Sequence, residues 1–252
     1  MTATLAVLEY HLVGYRRTWR GSALQSFALP LLTVLGFGVG VGAYVTGGVA
    51  GVPYLDWMVP GLLASTAMQA AFAESTWPVL GKFEWLKTYF AQAAAPLRVA
   101  DILGGHLAFM LLRVLTTSAA FLAVVAAFGT LHSWWAPATL LIAVLLGAAV
   151  ATGAAAYSAT VTSDSYLAIL IRFAVLPMSL FSGVFFPVES LPTLLRWVAY
   201  ALPLWHGVDL SRAATLGVAP DWSVSGHLLY LTAWAAAGWA LAHRQFRRRL
   251  VV

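Results

Sequence analysis

Apolar residues gather into six long runs, at 22–45, 55–80, 102–128, 137–162, 166–186 and 224–243, each with few charges and bounded by short polar or Gly- and Pro-rich stretches. About 20 helical residues cross the roughly 30 Å hydrocarbon core of a bilayer, so the pattern predicts a membrane span in each run. Three other stretches break the pattern. In residues 1–21, Leu5, Leu8, Leu12, Tyr15 and Trp19 fall in one sector of a helical wheel, with Glu9, Arg16, Arg17 and Arg20 beside it. That arrangement predicts an amphipathic helix lying in the membrane interface. Residues 81–98 carry Lys82, Glu84, Lys87 and Arg98 interleaved with Phe83, Trp85, Leu86, Tyr89 and Phe90, too charged to span and too aromatic for an idle linker. Residues 187–222 are half apolar and interrupted by Pro187, Pro192, Pro203 and Pro220, which leaves helical pieces too short to cross. Such pieces are expected as re-entrant or interfacial helices, tolerated where protein or water satisfies the broken backbone. The expected fold is an all-α polytopic membrane protein: an N-terminal interfacial helix, six transmembrane helices, and re-entrant helices before the last span. Gly36, Gly38, Gly40 and Gly42 follow Pro30 in the first run and predict close packing of that span on a neighbour.

Composition strengthens this reading. Of 252 residues, 61% are hydrophobic and 9% charged, which excludes an ordinary soluble globule and a disordered chain alike. Without cysteine there are no disulfides, Cys-bound zinc or iron–sulfur clusters. The net charge of +5 is distributed by topology and calls for no nucleic-acid partner. Arg16, Arg17, Arg20, Lys82, Lys87, Arg98, Arg244, Arg247, Arg248 and Arg249 fall on one side of a six-span arrangement, against only Arg196 and Arg212 on the other. Positive residues stay inside, so both termini are expected to face the cytoplasm.

Chemistry is sparse. No Walker A loop and no Gly-x-Ser-x-Gly elbow is present, and the six histidines include no metal-binding helical pair. His206, Asp209 and Arg212 follow one another at intervals of three and share a helix face, a conceivable metal or proton site. Arg113 lies deep in the third run, either paired with Glu74 or Asp101 or facing a translocation path, while Arg172 is near enough to a span end to snorkel. Two alternatives stay open: a proton-coupled carrier using Glu74, Asp101 and Arg113, and a membrane-embedded enzyme using His206 and Asp209.

Two stretches carry a resemblance. Residues 59–106, with Val59-Pro60-Gly61-Leu62-Leu63-Ala64, Glu74-Ser75-Thr76-Trp77-Pro78-Val79, Thr88-Tyr89 and Pro96-Leu97-Arg98-Val99-Ala100-Asp101, resemble the permease subunits of type-2 ABC exporters. So do Phe181-Ser182-Gly183-Val184-Phe185-Phe186-Pro187 and Leu202-Pro203-Leu204-Trp205-His206-Gly207-Val208-Asp209-Leu210. Within the family the chain is similar to permeases for nodulation lipo-oligosaccharides and for daunorubicin-type antibiotics. The resemblance implies a transport subunit without its own ATPase and without a bound cofactor, ATP and Mg being held by separate nucleotide-binding subunits. It further implies a second permease copy or paralogue, membrane lipids as surroundings, and a drug, lipid or lipo-oligosaccharide as cargo. It casts Lys82, Phe83, Glu84, Trp85, Lys87 and Tyr89 as the ATPase-coupling surface. The substrate path is expected at Gln69, Phe72, Glu74, Phe181, Phe185 and Phe186, and the outer re-entrant segment carries Pro187, Pro203, His206, Asp209 and Arg212.

Overall fold

The computed structural model describes residues 2–45, 47–49 and 51–251, and among them the regular structure is helical apart from one antiparallel bridge between Val49 and Val52. Helix α1 (Ala3–Thr33) runs without a break through residue 21, so the amphipathic leader and the start of the first apolar run form one rod. It continues into a π-helical stretch, Val34–Val41, and a 3-10 turn, Gly42–Tyr44. The close packing expected of its glycines is not made at Gly36, where an added Cβ would meet nothing within 4 Å among the described residues, and at Gly42 it amounts to an ordinary contact with the Tyr54 ring. The surroundings of Pro30 and Gly38 lie outside the described residues.

Helix α2 (Tyr54–Ser75) forms the centre, with every side chain from Trp57 to Ser65 buried. The stretch 57–64 is apolar on all sides and so belongs inside. It ends at Thr76 because Pro78 has no N–H to offer the Glu74 carbonyl, and the Ser75 and Thr76 hydroxyls donate back to the Ala71 and Phe72 carbonyls at 2.7 and 2.9 Å. The run at 55–80 is thus α2 plus the first half of α3 (Trp77–Glu84), which leads into α4 (Thr88–Ala93).

Helices α5 (Val99–Ala127) and α6 (Ala138–Ser158) pack on α2. Next come α7 (Asp164–Leu170), a π turn at Ile171–Val175 and α8 (Leu176–Phe181), a bulged but continuous rod whose wide turn precedes Pro177, again a missing donor. The segment before the last helix folds as a 3-10 turn (Val188–Ser190), α9 (Thr193–Tyr200) and α10 (Pro203–Leu216), and α11 (Val224–Leu250) carries the sixth run and the basic tail as one helix. Val99–Ala127, Ala138–Ser158 and Asp164–Phe181 are long and apolar enough to cross a membrane by length and composition. Helices α2 and α11 have the length but intersperse more polar residues.

Small residues set the packing distances. Gly105 of α5 lies under Val7 and the Thr4 carbonyl of α1, Gly147 of α6 under Val114 of α5, Gly207 of α10 under Leu146 of α6, and Gly238 of α11 against Thr152 of α6. Without a hydrophobic drive between helices in lipid, such close backbone approach supplies the dispersion energy of association. The rod at Asp164–Phe181 is the exception, leaving Tyr166, Ile169, Phe173, Leu176 and Leu180 uncovered.

Candidate functional site

The segment after α2 is fastened from the inside and open on the outside. Helices α3 and α4 meet at a tight turn in which Lys87 adopts φ 54°, a left-handed conformation uncommon for a residue with a Cβ. Phe83 and Tyr89 turn inward and are fully buried, their rings 4.6 Å apart and 4.9 and 5.1 Å from the ring of Phe246 on α11. The Tyr89 hydroxyl shares a 2.5 Å hydrogen bond with Nδ1 of His106 on α5, and the His106 ring stacks on His11 of α1 at 4.2 Å. Lys82 lies half-buried beside them. Burial lowers its pKa, with Glu74 opposing, and burial followed by the Lys82 charge brings His11 down to about 3, so His11 is neutral at physiological pH. Glu84 is bonded to Arg249 and lies 3.6 Å from Lys87.

The expected coupling surface therefore divides. Phe83 and Tyr89 are core, Lys82 and Glu84 flank it, and Trp85 and Lys87 point outward. Leu86, 72% exposed, and Phe90 complete the outward face; both belong to the apolar and basic stretch read from the sequence but not to the expected coupling set. Large exposed apolar side chains around a cation are what a protein groove recognises.

Among the intramembrane charges, Glu74 is the partner of Arg113, with Nε donating to its carboxylate at 3.0 Å. Arg113 Nη1 also donates to the Tyr15 hydroxyl at 2.6 Å, so α1, α2 and α5 meet at one guanidinium. Asp101 serves elsewhere, accepting from Thr4 Oγ1 at 2.8 Å and from the Arg98 N–H at the start of α5. Among the described residues no direct hydrogen bond or ion pair joins Asp101 to Glu74 or Arg113. Gln69 faces outward and donates to Ser65, whereas Phe72 lines an apolar cavity of about 130 Å³ with Met68, Tyr157, Met178, Pro203 and Trp234. Phe181, Phe185 and Phe186 are half-buried, Phe185 packing against Phe37 at 5.4 Å.

The segment at 187–222 and the start of α11 hold a buried polar chain. Pro187 precedes the 3-10 turn and Pro203 opens α10. His206 Nε2 lies 3.0 Å from the Tyr200 carbonyl, which can only accept, so Nε2 carries the proton and Nδ1 is the acceptor for His227 Nδ1–H at 2.8 Å. The second nitrogen of His227 stands 2.9 Å from Asp209, off the line of a straight N–H bond, and Asp209 accepts from the Asp221 N–H at 2.8 Å. Tyr230 stacks on His206 at 3.9 Å, with Trp205 and Trp222 alongside. Asp209 thus pairs with His227 of α11, which its spacing on α10 could not reveal. Arg212 turns away, donating to the Gly183 carbonyl at 2.8 Å and lying 4.0 Å over the Trp57 ring. Burial above all brings its pKa down to about 10, so it remains charged. Among the described residues no group of three or more His, Asp or Glu side chains is arranged to hold a metal ion.

Residues 2–216 match the model of the ABC-2 type transporter family. The chain belongs to this family. The ABC-2 permease is also similar over 98% of its length to nodulation protein J of several bacteria. It is 30% identical over 249 residues to that of Rhizobium leguminosarum bv. trifolii, covering 94% of that protein. The Sinorhizobium fredii protein is 29% identical over 250 residues, with 98% of this chain and 94% of the relative covered. Family membership makes the chain a transport subunit and implies association with an ABC ATPase. Both stretches that carried the resemblance lie inside the matched residues, and α11 lies beyond them.

Proposed function

We propose that this ABC-2 permease is the transmembrane subunit of an ATP-driven exporter carrying an amphiphilic or hydrophobic cargo (a drug, lipid or lipo-oligosaccharide) out across the bacterial cytoplasmic membrane. The whole of 1–252 acts as one transmembrane domain of six spans with both termini cytoplasmic, and the Lys82–Tyr89 segment receives the ATPase. The observation that carries this reading is the two-sided segment around Lys87. Trp85, Leu86, Lys87 and Phe90 offer an outward knob, while Phe83, Tyr89 and Glu84 bolt its base to α5 and α11. A push on the knob therefore displaces whole helices rather than bending a loop, which is how packed elements pass between discrete states. ATP and Mg stay on the partner subunits. The uncovered apolar rod at Asp164–Phe181 supports a second permease copy. Cargo passes the apolar walls around Phe72, Phe181, Phe185 and Phe186, with Gln69 and Glu74 as polar waypoints.

The test is capture of a separate ABC ATPase by the tagged full-length permease, together with ATP-dependent transport into inverted vesicles. Trp85→Ala combined with Lys87→Gln is expected to weaken capture about tenfold or more, as loss of an interface anchor does, while the thermal midpoint changes little because both side chains are exposed. Undiminished capture and transport would remove the coupling assignment.

A further inference from the structure

The end of α11 has two chemically distinct faces. Ala242, Phe246 and Arg249 turn inward at helical spacing, and Arg249 is consumed by Glu84 and two backbone carbonyls. Arg244, Arg247 and Arg248 lie at i, i+3 and i+4 on another face, all exposed, and with His243 and Val251 they line a groove of about 390 Å³. Among the described residues none of these three guanidinium groups meets a carboxylate within 4.0 Å. Complementing the helix dipole explains cations in the final turn, but not the convergence of three on one groove where, among the described residues, no carboxylate pairs with them.

Helix length gives the depth of this groove. The 27 residues of α11 extend about 40 Å at 1.5 Å per residue, which exceeds the hydrocarbon core and reaches the phosphate layer. Its first turn follows Trp222, an exposed aromatic of the kind found at a membrane surface, so the last two turns fall at the opposite headgroups. A planar guanidinium pairs with phosphate oxygens in bidentate fashion. We infer that Arg244, Arg247 and Arg248 form a binding site for the phosphate of an anionic phospholipid headgroup. The site rests on the membrane reading given above and is independent of the ATPase.

Full-length permease in detergent is titrated with phosphatidylglycerol and, separately, phosphatidylcholine, and retained lipid is counted by native mass spectrometry. Phosphatidylglycerol is expected to bind in preference, and changing all three arginines to Gln is expected to weaken it about tenfold or more while leaving phosphatidylcholine unchanged. The corresponding Arg→Lys triple variant keeps the charge but not the planar fork, and is expected to fall between the parent and the Gln variant. Equal retention of the two lipids, a Gln variant that binds as the parent does, or a Lys variant that falls as far as the Gln variant each overturns the proposal. If the Gln variant keeps the lipid and loses ATPase capture, the face belongs to the ATPase and the lipid site is wrong.

Discussion

Arg249, near the end of α11, clasps Glu84, the last residue of α3, while its guanidinium lies 4.4 Å over the Phe83 ring and donates to the Ala159 and Val161 carbonyls at 3.0 and 3.2 Å. One side chain thus ties the base of the coupling segment, the loop after α6 and the last helix. Arg249→Ala is expected to cost about 2 kcal/mol, the lower range for hydrogen bonds to a charged group, because the pair is only partly buried. Arg249→Lys should recover less than half, since an ammonium cannot serve the carboxylate and both carbonyls with a planar fork. Thermal unfolding of the full chain in detergent measures both, and a Lys variant as stable as the parent would show that charge alone suffices.

Arg113 and Glu74 give a prediction of opposite character. Arg113→Ala leaves the Glu74 carboxylate without its guanidinium among apolar helices, a loss of about 3 kcal/mol or more. Glu74→Gln added to it removes the stranded charge, so the double variant should be more stable than Arg113→Ala alone. Were the two changes simply additive in thermal midpoint, the pair would not be the interaction that matters there.

Much of this architecture is legible from the sequence because lipid demands long apolar runs and topology demands uneven arginines. The runs at 102–128 and 137–162 correspond closely to α5 and α6. Partner choice between helices is less legible. Glu74 and Asp101 were both open to Arg113, but one unbroken α5 sets Asp101 about 18 Å from Arg113 along its axis, while the packing of α2 on α5 brings Glu74 to it. His227 was one histidine among six until α10 and α11 brought it to Asp209. Within the coupling segment, charge and aromatic content located the element, but the alternation of inward Phe83 and Tyr89 with outward Trp85 and Lys87 depends on the left-handed turn at Lys87, which propensity does not announce.

That alternation separates two classes of variant. Tyr89→Ala empties a fully buried site and should cost about 3–5 kcal/mol, whereas Tyr89→Phe removes only the bond to His106 and should cost about 1–2 kcal/mol. Trp85→Ala, at a side chain 63% exposed, should leave stability within about 0.5 kcal/mol. A Trp85 variant as destabilised as Tyr89→Ala would place Trp85 in the core and remove it from the docking face.

Acid should loosen the protein at both ends. Burial holds His206 at about 4 and His11 at about 3, against 6.5 when unfolded, so below 6.5 the unfolded chain binds more protons than the native one. Stability from these groups is fully present above pH 6.5 and falls as the pH drops toward the native values. The thermal midpoint is therefore expected to decline from pH 7 to about 5. His11→Phe keeps a ring to stack on His106 and Phe109 but cannot titrate, so it should flatten part of that decline. An unaltered slope in His11→Phe would assign the pH dependence to other groups.

Gly105 tests how firmly α1 is seated, and with it whether α1 moves as part of the permease body. A Cβ at this position would come within 2.5 Å of the Val7 Cβ and 2.8 Å of the Thr4 carbonyl oxygen, and the second of these is backbone that cannot rotate aside. Gly105→Ala must push α1 away from α5, straining the Thr4–Asp101 bond and the His11–His106 stack together. The expected cost is about 1–3 kcal/mol, typical of overpacking, despite the better helix propensity of Ala. Gly14→Ala, on α1 with nothing within 4 Å of the added atom, is the matched control. It should be neutral or stabilise by up to about 1 kcal/mol. If Gly105→Ala behaves like Gly14→Ala, α1 is not locked to α5, and motion of the coupling segment would reach α5 through Tyr89 and His106 without carrying α1 along.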